Sequence, residues 1–318
     1  MNSLLHGVLM RGLKPLREAS GLPRVLLLVG GSIVLCFVIM AVFAPLIAPY
    51  HFTQYEADGV RFAKQAAPTI EHIFGTTARQ TDVLSLTIYG SQTALKVVVV
   101  AVFLSALIGV PLGLVAGYAG GWFDRLAVLF TDALFAFPSM LLAIVMAFLL
   151  AGPLGGGIAT AALSMTVVYV PQYFRVVRNS VLSVREEPFV EAAVVMGAPT
   201  RSIIVKYIFP NVIQSVPIIA TLNAADAILT LAGLGFLGYG VQPTVAAEWG
   251  FELQRAIPDI AAGIWWTGLF PGLAIVILVI GLTLFGEGLN DVLNPIFRRK
   301  AVKAPTISAA KLEDAANA

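Results

Sequence analysis

Residues 133–174 read ALFAFPSMLLAIVMAFLLAGPLGGGIATAALSMTVVYVPQYF, a run of 42 residues without a charged side chain. A bilayer core about 30 Å thick is crossed by about 20 apolar helical residues. Near its middle, at 152–157, the run reads GPLGGG, which is typical of a turn. The run therefore predicts two membrane-spanning helices, at about 126–150 and 156–175, joined by a short loop.

The composition of the whole chain indicates an integral membrane protein. Of its 318 residues, 58% are hydrophobic and 12% are charged, whereas about 25% of an ordinary soluble domain is charged. So few charged side chains cannot cover the surface of a soluble protein of this size. A single cysteine, Cys36, excludes a disulfide framework and a cysteine-based metal site.

Four further uncharged stretches predict four more spans, at about 25–48, 94–118, 212–237 and 267–289. We therefore expect an all-α fold, a polytopic membrane protein with six transmembrane helices. The first stretch is longer than the apolar core of a cleaved signal, which has about 7–15 residues. This favours a retained anchor.

The basic residues predict the orientation. Fifteen Lys and Arg residues lie on one predicted side of the membrane and four on the other. Since basic loops stay in the cytoplasm, both termini are expected there; the bacterial inner membrane is implied only by the family resemblance given below. The predicted organisation is a cytoplasmic segment 1–24, a first transmembrane helix 25–49, an extracytoplasmic segment 50–93, a core of five helices 94–290 with a cytoplasmic loop 176–211, and a cytoplasmic tail 291–318.

The second outer segment, residues 239–266, is rich in tryptophan. It contains Trp249, Trp265 and Trp266, and such side chains favour the membrane–water boundary. Either interfacial anchoring or contact with an extracytoplasmic partner would account for them.

The cytoplasmic loop carries the sequence REEPFVEAAVVMGAPTR at 185–201. Pro188 suits the first turn of a helix, and Glu187 and Glu191 complement the positive end of its dipole. Gly197 can adopt the left-handed conformation that ends a helix. A second short helix is expected to start at Pro199 and to end at Pro210.

The apolar pattern of the first of these helices predicts that it docks against another surface. Phe189, Ala192, Ala193 and Met196 share one face at i, i+3, i+4 and i+7. A helix of about ten residues is marginal alone. Its apolar face therefore needs a groove, in this protein or in a partner.

These residues resemble a known family. Glu191-Ala192-Ala193, three residues and then Gly197, with Pro210 closing the segment, resembles the EAA loop of permease subunits of bacterial ATP-binding-cassette (ABC) importers. Further matches to the dipeptide, oligopeptide and nickel branch, and to the second, C-type permease of its pair, run collinearly from Phe74 to Pro295. They lie at 74–76, 82–85, 88–90, 136–142, 235–243, 249–250, 265–266, 270–272 and 286–291.

The resemblance implies a type I ABC importer transmembrane fold whose EAA loop forms a coupling helix docked on an ATPase subunit. The implied partners are a homologous second permease, two ATPase subunits that hold ATP and Mg, and an extracytoplasmic solute-binding protein, with no cofactor or metal on this chain and no nucleic acid. The implied substrates are short peptides, with nickel, glutathione or another small solute as alternatives. The residues implied in ATPase coupling are Glu187, Phe189, Glu191, Ala192, Ala193, Met196 and Gly197.

Two intramembrane acids are candidates for the translocation path. Asp226 lies within the fifth predicted span and Asp132 early in the third, and acids at membrane depth usually face a cavity or a partner. Alternatively, both have structural or interfacial roles. The branch has Glu at the position of Leu231, so Asp226 stands on a different face. Gln80-Thr81 also replace the branch's Gly-Arg.

Other classes of protein fit less well. The chain has no Gly-x4-Gly-Lys motif for phosphate binding and no His-Glu-x-x-His motif, so we expect a subunit that is not itself an enzyme. A secondary carrier, the more distant alternative, would favour internal repeats and paired intramembrane charges. Neither feature is evident in the sequence.

Overall fold

A computed structural model describes residues 21–293. Predictions for 1–20 and 294–318, which include most of both cytoplasmic ends, lie outside the described residues. The regular secondary structure of the described chain is helical apart from a small hairpin, β1 (Glu56–Ala57) with β2 (Val60–Arg61), and residues 48–82 and 237–248 are otherwise turns and irregular segments. The helices are α1 (Leu22–Val42), α2 (Ala44–Ile47), α3 (Val83–Ala119), α4 (Gly121–Phe135), α5 (Ser139–Leu154), α6 (Ile158–Val184), α7 (Pro188–Val195), α8 (Thr200–Ser202), α9 (Phe209–Val212), α10 (Val216–Phe236), α11 (Trp249–Ala261) and α12 (Trp266–Leu293).

Among the described residues, four helical runs are long and apolar enough to cross a membrane: α1, α3, the run Thr200–Phe236, and α12. The prediction of one continuous helix at 126–150 is wrong. Helices α4 and α5 replace it and meet at an angle of 94°. They count as a fifth span if the pair crosses as one unit. The break falls at Pro138, which is extended (ψ 129°), because proline disfavours helix in the residue before it.

The second predicted span begins earlier than expected. Helix α3 starts at Val83 rather than at residue 94, because Asp82 caps it by accepting a hydrogen bond from the Ser85 amide at 2.8 Å. At 1.5 Å per residue its 37 residues extend about 55 Å. This exceeds the bilayer core, so α3 continues into the predicted outer segment, residues 50–93, which we call the first outer segment.

Helix α3 packs most closely against α6, through glycines. Gly109, Gly113 and Gly117 recur every fourth residue, and each faces the α6 backbone. A Cβ on Gly113 would lie 2.7 Å from the carbonyl oxygen of Phe174. This close approach is typical of small-residue interfaces between membrane helices. The sequence interpretation missed this repeat, although its spacing is visible in the sequence.

Helix α10 is part of a longer run than predicted. The prediction that Pro210 ends a short helix is wrong, because the chain is helical from Thr200 to Phe236. A π-helical segment, Ile203–Ile208, precedes Pro210. The proline then lies in the first turn of α9, where its missing N–H is not needed.

Candidate functional site

Helix α7 forms where the loop sequence predicts it. Pro188 is its first residue, Glu187 precedes it in an extended conformation (ψ 140°), and Glu191 lies in the first turn. Gly197 has a φ of 75°. The amide of Gly197 donates to the carbonyl of Val194 at 2.9 Å, and that of Ala198 to Ala193 at 3.0 Å. This pair of bonds ends the helix in a left-handed turn, as the sequence predicts for Gly197.

The predicted apolar face of α7 is only partly correct. Ala193 is fully buried, and so is Val190, because this side of α7 packs on the following helical run. The exposed apolar face consists instead of Phe189, Ala192, Val195 and Met196, which we call the exposed stripe. Phe189 is 42% exposed, Val195 87% and Met196 75%.

Two arginines connect the end of α6, which precedes α7, to neighbouring helices. Arg178 makes a bidentate ion pair with Asp124, with an Nη2–Oδ2 distance of 2.6 Å. Arg185 donates to the carbonyl of Gly117 at 3.2 Å. These contacts tie the last turns of α6 to α3 and α4. The sequence interpretation used these arginines only as markers of topology, because their partners lie far along the chain.

Asp132 forms an ion pair at the surface. Arg175 donates from Nη2 to Asp132 Oδ1 at 2.8 Å, and both side chains are about half exposed. The guanidinium also lies 4.1 Å from the ring centroid of Phe135. The structure thus gives Asp132 a charged partner on α6.

Asp226 is anchored at one carboxylate oxygen. The hydroxyl of the fully buried Tyr169 donates to its Oδ2 at 2.8 Å and lies 3.4 Å from Thr230 Oγ1. Asp226 itself is exposed on the surface of α10, whereas Leu231 is buried. The two positions therefore point in different directions, as the five-residue offset predicts.

Trp249 is neither an interfacial anchor nor a free contact residue. It is 3% exposed, its Nε1 donates to the carbonyl of Thr87 at 3.0 Å, and its ring occupies the space over Gly90. Both interpretations of this residue are therefore wrong. Trp266 similarly donates to the carbonyl of Thr76 at 3.2 Å, whereas Trp265 is exposed.

The residue before Trp249 is a buried acid that the sequence interpretation did not single out. Glu248 caps α11 by accepting hydrogen bonds from the amides of Gly250 and Phe251, each at 2.8 Å. It packs against Gly235, where no Cβ could fit. Burial, the largest effect, and the charge of Glu252 raise the pKa of Glu248 to about 7, against the two amide hydrogen bonds, which lower it.

We expect Glu248→Gln to flatten the dependence of folding stability on pH. Because the folded pKa is about 7 and the ordinary value is 4.5, the contribution is fully present below pH 4.5 and is lost as pH rises through 7. The free energy of unfolding of the wild type should fall by about 3 kcal/mol over this pH window, and that of the variant should fall much less. Thermal unfolding in detergent across this range would measure it, with the exposed Glu71→Gln as control. Equal slopes in wild type and Glu248→Gln would contradict the assignment.

Comparison with known proteins defines the family. Residues 109–299 match the binding-protein-dependent transport system inner membrane component, and residues 25–68 match the N-terminal transmembrane domain of oligopeptide transport permease C. The chain is 37% identical over 270 residues to the dipeptide transport system permease protein DppC of Alkalihalophilus pseudofirmus, covering 85% of this chain and 86% of that protein. It is 35% identical over 263 residues to the glutathione transport system permease protein GsiD of Escherichia coli, covering 82% and 84%.

The chain therefore belongs to the family of binding-protein-dependent transport system inner membrane components. Within it, the chain is a C-type permease of the peptide and nickel branch, as its N-terminal domain shows. It is a multi-pass inner membrane protein and a permease subunit of an ABC importer. The resemblance to the permease subunits of ABC importers is thus confirmed, and the secondary-carrier alternative is set aside.

Proposed function

We propose that this chain forms half of the translocation path for short peptides and that α7 transmits the movement of an ATPase subunit to it. One observation supports the proposal: the four apolar side chains of the exposed stripe face solvent on one side of α7 and its last turn. Amphipathic helices with such a face dock into hydrophobic grooves. The arginine contacts to α3 and α4 would pass a displacement of α7 to the spans.

Each coupling residue has a role in this proposal. Phe189, Ala192 and Met196 would enter the groove, together with Val195, which the sequence interpretation did not include. Ala193 would act indirectly, by fixing α7 on the following helical run. Gly197 supplies the turn, and Glu187 and Glu191 complement the dipole at the start of the helix.

The family suggests the partners of this chain. A homologous second permease would complete the path, two ATPase subunits would bind ATP and Mg, and a solute-binding protein would deliver the substrate. This chain would hold no cofactor or metal of its own. In the complete assembly α6 and the bent α4–α5 pair would bring the spans to six, with both termini in the cytoplasm.

The substrate class is inferred from the relatives. DppC is described as a dipeptide permease and GsiD as a glutathione permease. Glutathione is itself a short peptide, so both names agree on that class. Nickel remains an alternative in the branch, with no feature of the described residues that favours it.

Asp226 would line the path and meet the amino group of a peptide. Its Oδ2 is held by Tyr169, and the carboxylate is exposed on α10. Asp132, although exposed, is already neutralised by Arg175. It is therefore the weaker of the two candidates.

We expect Asp226→Asn to raise the KM for dipeptide uptake about 3- to 10-fold, because an amide loses the charge but still accepts the Tyr169 hydrogen bond. Uptake of labelled dipeptide and of glutathione would be measured in cells lacking the chain and complemented with each variant. Asp58→Asn, at an exposed turn of the hairpin, is the control. If deleting the chain changed the uptake of neither solute, the proposed substrate class would be wrong.

A further inference from the structure

A cavity of about 230 Å³ lies between the two outer segments, beside α11. Apolar and charged side chains share its wall: Phe52, Tyr55, Arg79, Pro243, Glu252 and Arg255. A smaller cavity of about 30 Å³ shares the three charged residues and also touches Asp259. Drug-sized ligands occupy about 300–1,000 Å³, so the larger cavity suits a smaller molecule.

Glu252 lies in this cavity without a partner. It is 8% exposed, and its carboxylate makes no hydrogen bond or ion pair with any residue from 21 to 293. Burial raises its pKa, an effect that Arg255 and Arg79 oppose. The oxygens of Glu252 are not among the sealed, unpaired side-chain atoms of residues 21–293, so the carboxylate opens into the cavity. A ligand that enters the cavity can donate a hydrogen bond to it, and such a charge-assisted bond is favourable in a largely buried setting.

The two arginines surround this carboxylate with positive charge. Arg255 lies over the ring of Phe251, 4.1 Å from its centroid. Arg79 is exposed at the other side of the cavity, next to Gln80, whose φ of 67° belongs to a tight turn. Within the described chain neither guanidinium forms an ion pair. Both are free to bind a carboxylate, which guanidinium groups do in bidentate fashion.

The charges select the class of ligand. A metal ion would meet a single unpaired carboxylate and two cations, because Asp259 already accepts a hydrogen bond from Gln65 at 2.6 Å. A phosphate would be repelled by the negative charge of the Glu252 carboxylate. A small zwitterion satisfies all three groups, with its ammonium on Glu252 and its carboxylate on the arginines.

We propose that this cavity is a receiving subsite for the zwitterionic backbone of a short peptide on the extracytoplasmic face of the permease. The inference rests on the proposed substrate class and adds a site distinct from Asp226. The apolar wall formed by Phe52, Tyr55 and Pro243 would accept a small side chain. A peptide released by the solute-binding protein would bind here before it enters the path.

Binding to the purified importer complex, without its solute-binding protein, tests the subsite. The probes are alanyl-alanine, its N-acetylated form and its C-terminal amide. Alanyl-alanine should bind at least tenfold more tightly than either blocked form. Glu252→Gln should remove the preference for the free amino group. The preference for the free carboxylate should be lost in Arg79→Gln and in Arg255→Gln. Lys64→Gln, on the exposed part of the first outer segment, should change neither.

The outcomes separate this inference from the proposed function. If the wild-type complex transports alanyl-alanine but the variants bind all three probes as the wild type does, the subsite is wrong and the substrate class stands. If the wild type transports no peptide, the proposed function fails. Variants that lose only the association with the solute-binding protein would show a docking surface and would also overturn the subsite.

Discussion

Replacing both Phe189 and Met196 by aspartate is expected to abolish ATP-driven uptake while the protein still inserts and folds. Both side chains are exposed, at 42% and 75%, so the isolated chain should tolerate the charges. In a docked complex two carboxylates would be buried without partners, at about 3–5 kcal/mol each. At about 1.4 kcal/mol per factor of ten, we expect uptake to fall at least a hundredfold.

Two measurements together check this prediction: uptake in cells, and co-purification of the ATPase subunits with the permease. The control is the same double change at Val60 and Ile70, which are 69% and 99% exposed but lie in the first outer segment. Ala193→Trp is not an equivalent test, because Ala193 is fully buried. The variant would disturb the packing of α7 on the following helical run. Normal uptake by the stripe variant, at normal expression, would show that α7 is merely a solvated surface helix.

Replacing Gly113 by leucine is expected to prevent stable folding of the membrane core. Its Cβ would lie 2.7 Å from the carbonyl oxygen of Phe174 and 3.0 Å from Val177 Cβ. Backbone atoms cannot move aside as a flexible side chain does, so α3 and α6 would have to separate. Overpacking typically costs about 1–3 kcal/mol, and we expect at least the upper value here.

Gly152→Leu is the matched control for Gly113→Leu. Gly152 lies near the end of α5, and, apart from its chain neighbours and the adjacent backbone of α5, no atom of the described chain lies within 4 Å of the position of its Cβ. Melting temperature and size-exclusion profile in detergent should be severely altered by Gly113→Leu and nearly unchanged by Gly152→Leu. Similar melting of the two variants would mean that the close approach of α3 to α6 does not support the fold.

The sequence was sufficient where the physical cause is local. Long uncharged runs located α1 and α12, because transfer of apolar residues into a bilayer depends on composition rather than on neighbours. Pro188 and Gly197 located the ends of α7, because caps and left-handed turns depend on a few adjacent residues. Asp82 also caps its own helix, and reading that signal would have placed the start of α3 correctly.

Contacts between distant residues required the tertiary structure. Which face of α7 is exposed depends on the helical run it packs against, so periodicity alone placed Ala193 on the wrong side. Trp249 fills the space over Gly90. The three charged side chains of the outer cavity also come from distant parts of the chain, Arg79 from one outer segment and Glu252 and Arg255 from the other. Hydropathy measures how each residue interacts with solvent and lipid, whereas burial and pairing depend on what another part of the chain places beside it.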